Sequence, residues 1–179
     1  MPPPPPAEPP PQRLSPAESR KRAVRFLKAL GKDVPLPPPA ERPDAFAALV
    51  RATLSRAAAS AAAPAPRVAC VLTVSPAVTN QYNTLHGGAV AAAAEVVGMA
   101  CARAAAGDRE MFLGELSTAY LAPARSHGPL YQSEVDVEAQ VLRKGRSVVV
   151  TTIEFRLKDT KKLCYTSRAT FYIMPVASL

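Results

Sequence analysis

Alternating apolar and polar residues predict the most clearly marked strand in this chain. Between residues 131 and 142 the alternation is strict, and one face carries Val135, Val137, Ala139 and Val141. This pattern is typical of an antiparallel strand with one buried and one solvated face. Segments bounded by turn residues predict further strands over residues 67–74, 111–121, 148–157 and 163–174, with a hairpin turn at 143–146 and another turn at 158–162.

Helical spacing predicts two helices in the same part of the chain. Residues 44–59 place apolar residues on one face, namely Phe46, Leu49, Val50 and Leu54. A longer helix covers 85–106 and stops at Gly107-Asp108. One long helix followed by a run of antiparallel strands is an α+β arrangement, in which the helix lies against a strongly curved sheet.

Proline marks the domain organisation. Of the 20 prolines, 14 precede Phe46, a composition that favours disorder or polyproline II over packed structure. We therefore predict a tail over residues 1–44 and a single folded domain over 45–179. Residues 20–30 have the spacing of a short basic amphipathic helix, either a solvated surface or an organelle-targeting segment. Pro2 to Pro6 suit an adaptor that docks in a polyproline-binding groove.

Charge and cysteine usage exclude several classes of protein. The net charge of +8 divides into +3 for residues 1–44 and +5 for the rest, and the chain has no Trp. Nucleic-acid binding would need a denser basic stripe with interleaved aromatics, so a small phosphorylated ligand fits better. The three cysteines have neither disulfide nor zinc spacing, which indicates an intracellular protein of the cytoplasm or mitochondrion.

We also predict no bound metal, no cofactor and no membrane span. His86 and His127 are the only histidines, and His127 is expected on an exposed loop. The apolar stretch 87–106 is interrupted by Glu95 and Arg103, unlike a membrane span or a signal peptide. The C-terminal Ala-Ser-Leu lacks the basic residue of a peroxisomal signal.

The segment from Asn80 to Glu95 carries the most informative chemistry. His86-Gly87-Gly88 opens the long helix, whose first N–H groups and partial positive charge suit a polarised carbonyl oxygen. Glu95 is the only polar side chain between Gly87 and Met99. If the domain wraps this helix, its carboxylate is buried at a cost, and such groups are often functional. A helix start that can bind a carbonyl oxygen, together with the Glu95 carboxylate, suits attack on a thioester.

The spacing of this motif argues for a dimer. Gly87 and Glu95 lie roughly 12 Å apart along a helix axis, too far for one helix to bring both to one carbonyl carbon. An antiparallel second copy of the helix places Glu95 of one chain near Gly87 of the other, which gives two equivalent sites about a twofold axis.

These features closely resemble the hotdog-fold acyl-CoA thioesterases of the acyl-coenzyme A thioesterase 13 and phenylacetate-degradation type. In that family an Asn, a Leu-His-Gly-Gly helix start and a carboxylate nine residues after the His form the active site, and Asn80, His86, Gly87 and Glu95 have that spacing. Residues 117–124 and the turn 142–146 also match. The resemblance covers roughly residues 45–175 and implies a homodimer or a dimer of dimers.

The resemblance implies a role for each residue of the site. The Gly87 N–H stabilises the oxyanion, Asn80 orients the water or the carbonyl unless it only caps its loop, and Glu95 is a general base or a nucleophile. His86 and Gly88 belong to the substrate site, His86 as a helix-starting structural residue rather than an acid or base. The basic turn meets the nucleotide end of CoA through Arg143, Lys144, Gly145 and Arg146.

Two departures from the family leave an alternative open. The carboxylate is Glu95 where the family often has Asp, and Leu113 lies where some members carry a Ser that orients the hydrolytic water. Turnover is then slower, or Ser117 takes that task, or the chain is a non-catalytic acyl-CoA binding or sensing module. A hotdog dehydratase is disfavoured because the helix interior has no histidine. Acyl-chain length and the choice between aromatic and aliphatic acids stay open.

Overall fold

The structure, a computed structural model, describes residues 15–29, 35, 43–60, 66–107, 109–126 and 133–174. These residues fall into two units, divided between Arg42 and Pro43. The predictions for the proline runs, for His127 and for the C-terminal Ala-Ser-Leu lie outside the described residues.

The first unit contains one helix, α1 (Pro16–Ala29). Ser15 and Glu18 cap it reciprocally, because the Glu18 N–H donates to Ser15 Oγ at 3.2 Å and the Ser15 N–H donates to the Glu18 carboxylate at 3.0 Å. This capping box satisfies N–H groups that an isolated helix start leaves unpaired. The basic segment predicted over residues 20–30 is therefore helical through Ala29.

The second unit is built on a six-stranded sheet whose paired neighbours are all antiparallel. The spatial order is β1-β2-β4-β5-β6-β3. The strands are β1 (Leu54–Ser60), β2 (Arg67–Thr73), β3 (Met111–Tyr120), β4 (Glu134–Lys144), β5 (Val148–Leu157) and β6 (Leu163–Ile173). The described part of the unit also contains two α-helices, α2 (Ala45–Ala52) and α3 (Gly87–Ala106), and a short 3-10 helix at Pro76–Val78.

Helix α3 packs against the sheet and forms the centre of the core. Its buried residues recur in pairs one turn apart: Ala89, Val90, Ala93, Ala94, Val97, Gly98, Cys101 and Ala102. The small side chains allow a close approach, and a Cβ on Gly98 would lie 3.1 Å from Thr151 Oγ1 and 3.3 Å from Phe171 Cε2. The predicted α+β arrangement is confirmed.

Length and composition alone would let α3 cross a bilayer. In the structure one of its faces is instead occupied by the sheet, which contacts the helix through β2, β3, β4, β5 and β6. The helix is thus a core element of the second unit.

The alternation predicted for β4 is confirmed, and the turn that follows it needs a small correction. Val135, Val137, Ala139 and Val141 are all buried. Arg143 and Lys144, which we predicted in the turn, continue the strand and pair with β5 after a bulge. The Gly145 N–H donates to the Val148 carbonyl at 2.7 Å and closes the hairpin, so the turn begins at Gly145.

The helix predicted over residues 44–59 is wrong in its second half. Helix α2 ends at Ala52, and residues from Leu54 onward form β1, an edge strand paired with β2. Alanine-rich sequence fits either state locally, and pairing with β2 decides the outcome. Of the four apolar residues assigned to one helical face, Val50 alone is buried, while Phe46 and Leu49 are exposed.

Candidate active site

The start of α3 is fixed by its N-cap residue, His86. The His86 backbone is extended, and its Nδ1 accepts a hydrogen bond from the Gly88 N–H at 3.0 Å. The His86 N–H in turn donates to the Val78 carbonyl at 2.9 Å. Among the described residues, no group accepts a hydrogen bond from the Gly87 N–H, the first of the helix. That donor is free for a ligand.

Asn80 closes the loop that leads into this helix. Its Oδ1 accepts from the Tyr82 N–H at 2.9 Å and from the Thr84 N–H at 3.2 Å, and its Nδ2 donates to Thr84 Oγ1 at 2.8 Å. The side-chain amide is therefore engaged within its own loop. It still lies at the same cavity as Gly87, so it shapes the wall of that cavity.

A cavity of about 300 Å³ lies in front of the helix start. Two tyrosines that the sequence reasoning left without a role form part of its wall. Tyr120, the last residue of β3, donates its hydroxyl to the Gly87 carbonyl at 3.1 Å. The full lining is Asn80, Thr84, Leu85, Gly87, Tyr120, Leu121, Ala122, Pro123 and Tyr165.

Tyr165 supports the floor of this cavity from β6. Its hydroxyl accepts a hydrogen bond from the buried Ala124 N–H at 2.9 Å. Burial raises the pKa of this phenol above its ordinary value. Tyr165 is therefore a neutral structural group at physiological pH. The available sequence signal for Tyr120 was its position at a strand end, three residues before Pro123.

Glu95 lies elsewhere, and the prediction that it is buried is wrong. It is exposed and lines a second cavity, of about 350 Å³, between α2 and α3. The sheet covers one face of α3. Glu95 is not among the buried residues of the helix. The other residues of this cavity are Asp44, Ala47, Arg51, Ala92, Val96 and Met99. Arg51 donates to Asp44 at 2.5 Å across its mouth.

One chain therefore does not bring the predicted site residues together. Asn80 and Gly87 share the cavity at the helix start, whereas Glu95 lines the other. The separation of roughly 12 Å along the helix axis is unchanged by the fold because α3 is continuous between them.

Leu113 and Ser117 lie on opposite faces of β3. Leu113 pairs with the buried Phe171 and packs against the core on the face of the sheet towards α3. Ser117 is exposed and pairs with Arg168, whereas its neighbour Thr118 shares a hydrogen bond of 2.9 Å with the buried Ser167. Within one chain, Ser117 thus faces away from the side on which Leu113 lies.

The basic residues around Gly145 lie at the other end of α3. Lys144 Nζ donates to the Ala105 carbonyl at 2.7 Å and so caps the C-terminus of the helix. Arg143 and Arg146 are exposed. Ala105 is roughly 27 Å from Gly87 along the axis, so this turn is remote from the helix start of its own chain.

The three cysteines are free and buried. Burial raises the pKa of Cys70 to about 11 and raises those of Cys101 and Cys164 as well. These thiols are poor nucleophiles at neutral pH. In the part of the chain that the structure describes, no group of three His, Cys, Asp or Glu side chains is arranged to hold a metal ion.

Comparisons with known proteins agree with this architecture. A family model described as thioesterase superfamily matches residues 82–164. The crystal structure of zebra fish thioesterase superfamily member 2 superposes with a TM-score of 0.61 at 21% identity, covering 86% of this chain and 97% of that one. The chain has the hotdog thioesterase fold, as predicted.

Two curated relatives carry related names. A Caenorhabditis elegans protein provisionally named an esterase is 28% identical over 109 residues, which are 61% of this chain and 62% of the relative. Another so named, from Saccharolobus solfataricus, is 31% identical over 83 residues, which are 46% of this chain and 55% of the relative. The matched region spans less than two thirds of either relative. Together the comparisons support thioester hydrolysis in general.

Proposed function

We propose that this chain hydrolyses an acyl-CoA thioester to the free acid and CoA. One observation carries the proposal. Gly87, whose N–H has no acceptor among the described residues, lines a cavity with Asn80. The only acidic side chain of α3 lies about two turns further on and lines a separate cavity. Neither half is sufficient alone. Joined, they combine an oxyanion donor with a carboxylate.

A second copy of the chain joins the two halves. When two α3 helices lie antiparallel about a twofold axis, the exposed Glu95 of one chain approaches Gly87 of the other. The twofold axis makes the arrangement reciprocal and gives two sites per dimer. The exposure of Glu95 in the single chain supports this assembly, because a carboxylate that acts on a partner's substrate must lie on the surface of its own chain.

The chemistry follows from the two groups. As the thioester carbonyl becomes tetrahedral, its oxygen gains negative charge, which the Gly87 N–H stabilises by about 3 to 4 kcal/mol. Glu95 either takes the proton of the attacking water or attacks the carbonyl carbon itself, and water then releases the acid from the mixed anhydride. In both routes the carbon–sulfur bond breaks with its electron pair on sulfur. The thiolate takes up a proton, from protonated Glu95 in the first route and from water in the second, and CoA leaves as the thiol.

The nucleotide end of CoA meets the basic turn of the partner. Because this turn lies roughly 27 Å from Gly87 of its own chain, the antiparallel copy is the one whose turn comes near. Arg143 and Arg146 are exposed cations that suit phosphate groups. Lys144 already binds the Ala105 carbonyl, so we assign the phosphate contacts first to the two arginines.

A non-catalytic acyl-CoA binding module is the second candidate, and specific observations favour it. Leu113 is packed against the core where a water-orienting hydroxyl would be needed, and the Asn80 amide is engaged by Tyr82 and Thr84. Both features leave the ligand cavity intact while removing groups that could orient a water molecule.

A panel of acyl-CoA thioesters that varies chain length and includes aryl acids tests the proposal. Released CoA is followed with a thiol reagent, to which the buried cysteines contribute little background. We expect turnover on at least one member of the panel, abolished by Glu95→Gln. Binding measured by calorimetry without turnover would favour the binding module. If the protein neither binds nor turns over any member of the panel, both candidates are contradicted.

A further inference from the structure

The peptide group between Gly87 and Gly88 is held by a side chain at each end. Its N–H, on Gly88, donates to His86 Nδ1 at 3.0 Å. Its carbonyl, on Gly87, accepts from the Tyr120 hydroxyl at 3.1 Å. The two side chains come from different elements, the N-cap of α3 and the end of β3.

We call these two hydrogen bonds, from the Gly88 N–H to His86 and from Tyr120 to the Gly87 carbonyl, the clamp. The clamp matters because the peptide that it holds joins two glycines at a helix terminus. Glycine has wide conformational freedom, and terminal turns fray, so this segment is intrinsically loose. The Gly87 N–H belongs to the adjoining peptide, whose carbonyl on His86 accepts from the Val90 N–H at 3.0 Å. The direction of this N–H therefore depends on both peptides that meet at Gly87. A displacement of about 1 Å of a positioning group can cost on the order of 100-fold in rate.

The glycines leave space for the clamping groups as well as for a ligand. A Cβ on Gly88 would lie 3.1 Å from His86 Nδ1, which is closer than most Cβ contacts, and would crowd the imidazole. A Cβ on Gly87 would lie 3.4 Å from the Tyr120 hydroxyl oxygen, in contact with it.

Tyr120 is itself held in place. Its ring packs edge-on against Tyr165, with 5.7 Å between ring centroids. Tyr165 is buried and bonded to the Ala124 N–H. Tyr120 nevertheless remains 55% exposed and lines the cavity beside Asn80. Its hydroxyl thus connects the end of a sheet strand to the first turn of α3.

We propose that Tyr120 and His86 are positioning residues that hold the Gly87–Gly88 peptide and thereby aim the Gly87 N–H at the thioester oxygen. The inference rests on the proposed function and adds to it two side chains that act on the oxyanion donor without touching the reacting atoms. Binding of the ground-state thioester depends less on this alignment than the transition state does, since charge on the oxygen develops only as the reaction proceeds.

The first test compares Tyr120→Phe with Tyr172→Phe. Tyr172 lies on the opposite face of the sheet, stacked on Phe112, so its hydroxyl is remote from the cavity. We expect Tyr120→Phe to lower kcat by about 10- to 100-fold with KM changed less than about threefold. Tyr172→Phe should retain wild-type kcat. Equal kcat values for Tyr120→Phe and the wild type would overturn the inference.

The second test uses rescue at position 86. Asn is a good N-cap residue whose side-chain oxygen can accept the Gly88 N–H, whereas Ala has no acceptor. We expect His86→Ala to lose about 10-fold or more in kcat and His86→Asn to recover most of it. Equal activities for the Ala and Asn variants would show that acceptance of this hydrogen bond is not what His86 contributes.

Amide hydrogen exchange at Gly88, measured by NMR, separates this inference from the proposed function. Exchange should be faster by about 10-fold or more in His86→Ala and Tyr120→Phe, and unchanged in His86→Asn and Tyr172→Phe. Unchanged exchange in Tyr120→Phe overturns the clamp even if kcat falls. Wild-type protein that turns over no acyl-CoA contradicts the proposed function, while the exchange rates still decide whether the clamp exists.

Discussion

Glu95 is the single side chain on which the proposed chemistry depends most directly. Its exposure differs from the sequence prediction for a simple geometric reason. Eight residues of α3 face the sheet, in pairs one turn apart, and Glu95 is not among them. The sequence established that the carboxylate is isolated on an apolar helix, but an alanine-rich helix has no strongly marked polar face. The residue types of α3 therefore did not indicate which of its faces the sheet would cover.

The Glu95→Gln variant should lower kcat by at least about 100-fold, as loss of a base or nucleophile does. Because Glu95 is exposed in the chain, the free energy of unfolding should change by less than about 0.5 kcal/mol. Steady-state kinetics and urea unfolding on the same preparation measure the two quantities. Near-normal turnover in the folded variant would remove Glu95 from the mechanism.

Strand β4 was predictable because its apolar residues alternate, and α3 because glycines mark both its start and its end. The segment 44–59 was not, because its alanines satisfy both a helical and an extended pattern, and only pairing of Leu54–Ser60 with β2 distinguishes them. The hairpin at Gly145 was located correctly, but the contact from Lys144 to α3 joins elements far apart in sequence. Such long-range contacts leave no local signal.

The basic turn yields a prediction that separates two roles of neighbouring cations. Arg143→Ala with Arg146→Ala should raise KM for acyl-CoA more than for a truncated pantetheine thioester, because only the former carries the nucleotide phosphates. Lys144→Ala should instead lower the free energy of unfolding by about 0.5 to 1 kcal/mol through loss of the Ala105 contact. An equal KM change for both thioesters in the double variant would place the phosphates elsewhere.

The packing of α3 on the sheet is set by Gly98. Leucine there would overlap Thr151, Ile153 and Phe171, all fully buried, so Gly98→Leu should destabilise the fold by about 2 kcal/mol or more. Ala104→Leu is the matched control, since Ala104 is exposed on the same helix and should change stability by less than about 0.5 kcal/mol. Similar unfolding midpoints for the two variants would contradict this close approach.

At the scale of the whole molecule, the separation of the two cavities predicts shared sites. Chains carrying Glu95→Gln should be inactive, and so should chains carrying Asn80→Ala, because the Asn80 side chain holds the loop that leads to Gly87. Mixed dimers should recover activity, because one of their two sites combines an intact Asn80 and Gly87 with an intact Glu95. Differently tagged chains, dissociated and reassembled, allow the mixed species to be isolated before assay. Verified mixed dimers as inactive as their parents would contradict the shared site.

Strand β3 has one further consequence. Among the described residues it pairs with β6 alone, so the backbone N–H and C=O groups along its other side have no strand partner in that part of the chain. In the dimer that we propose, a separated chain would expose this edge to aggregation. For such a dimer, stability depends on protein concentration, so the melting temperature should rise as the concentration is raised.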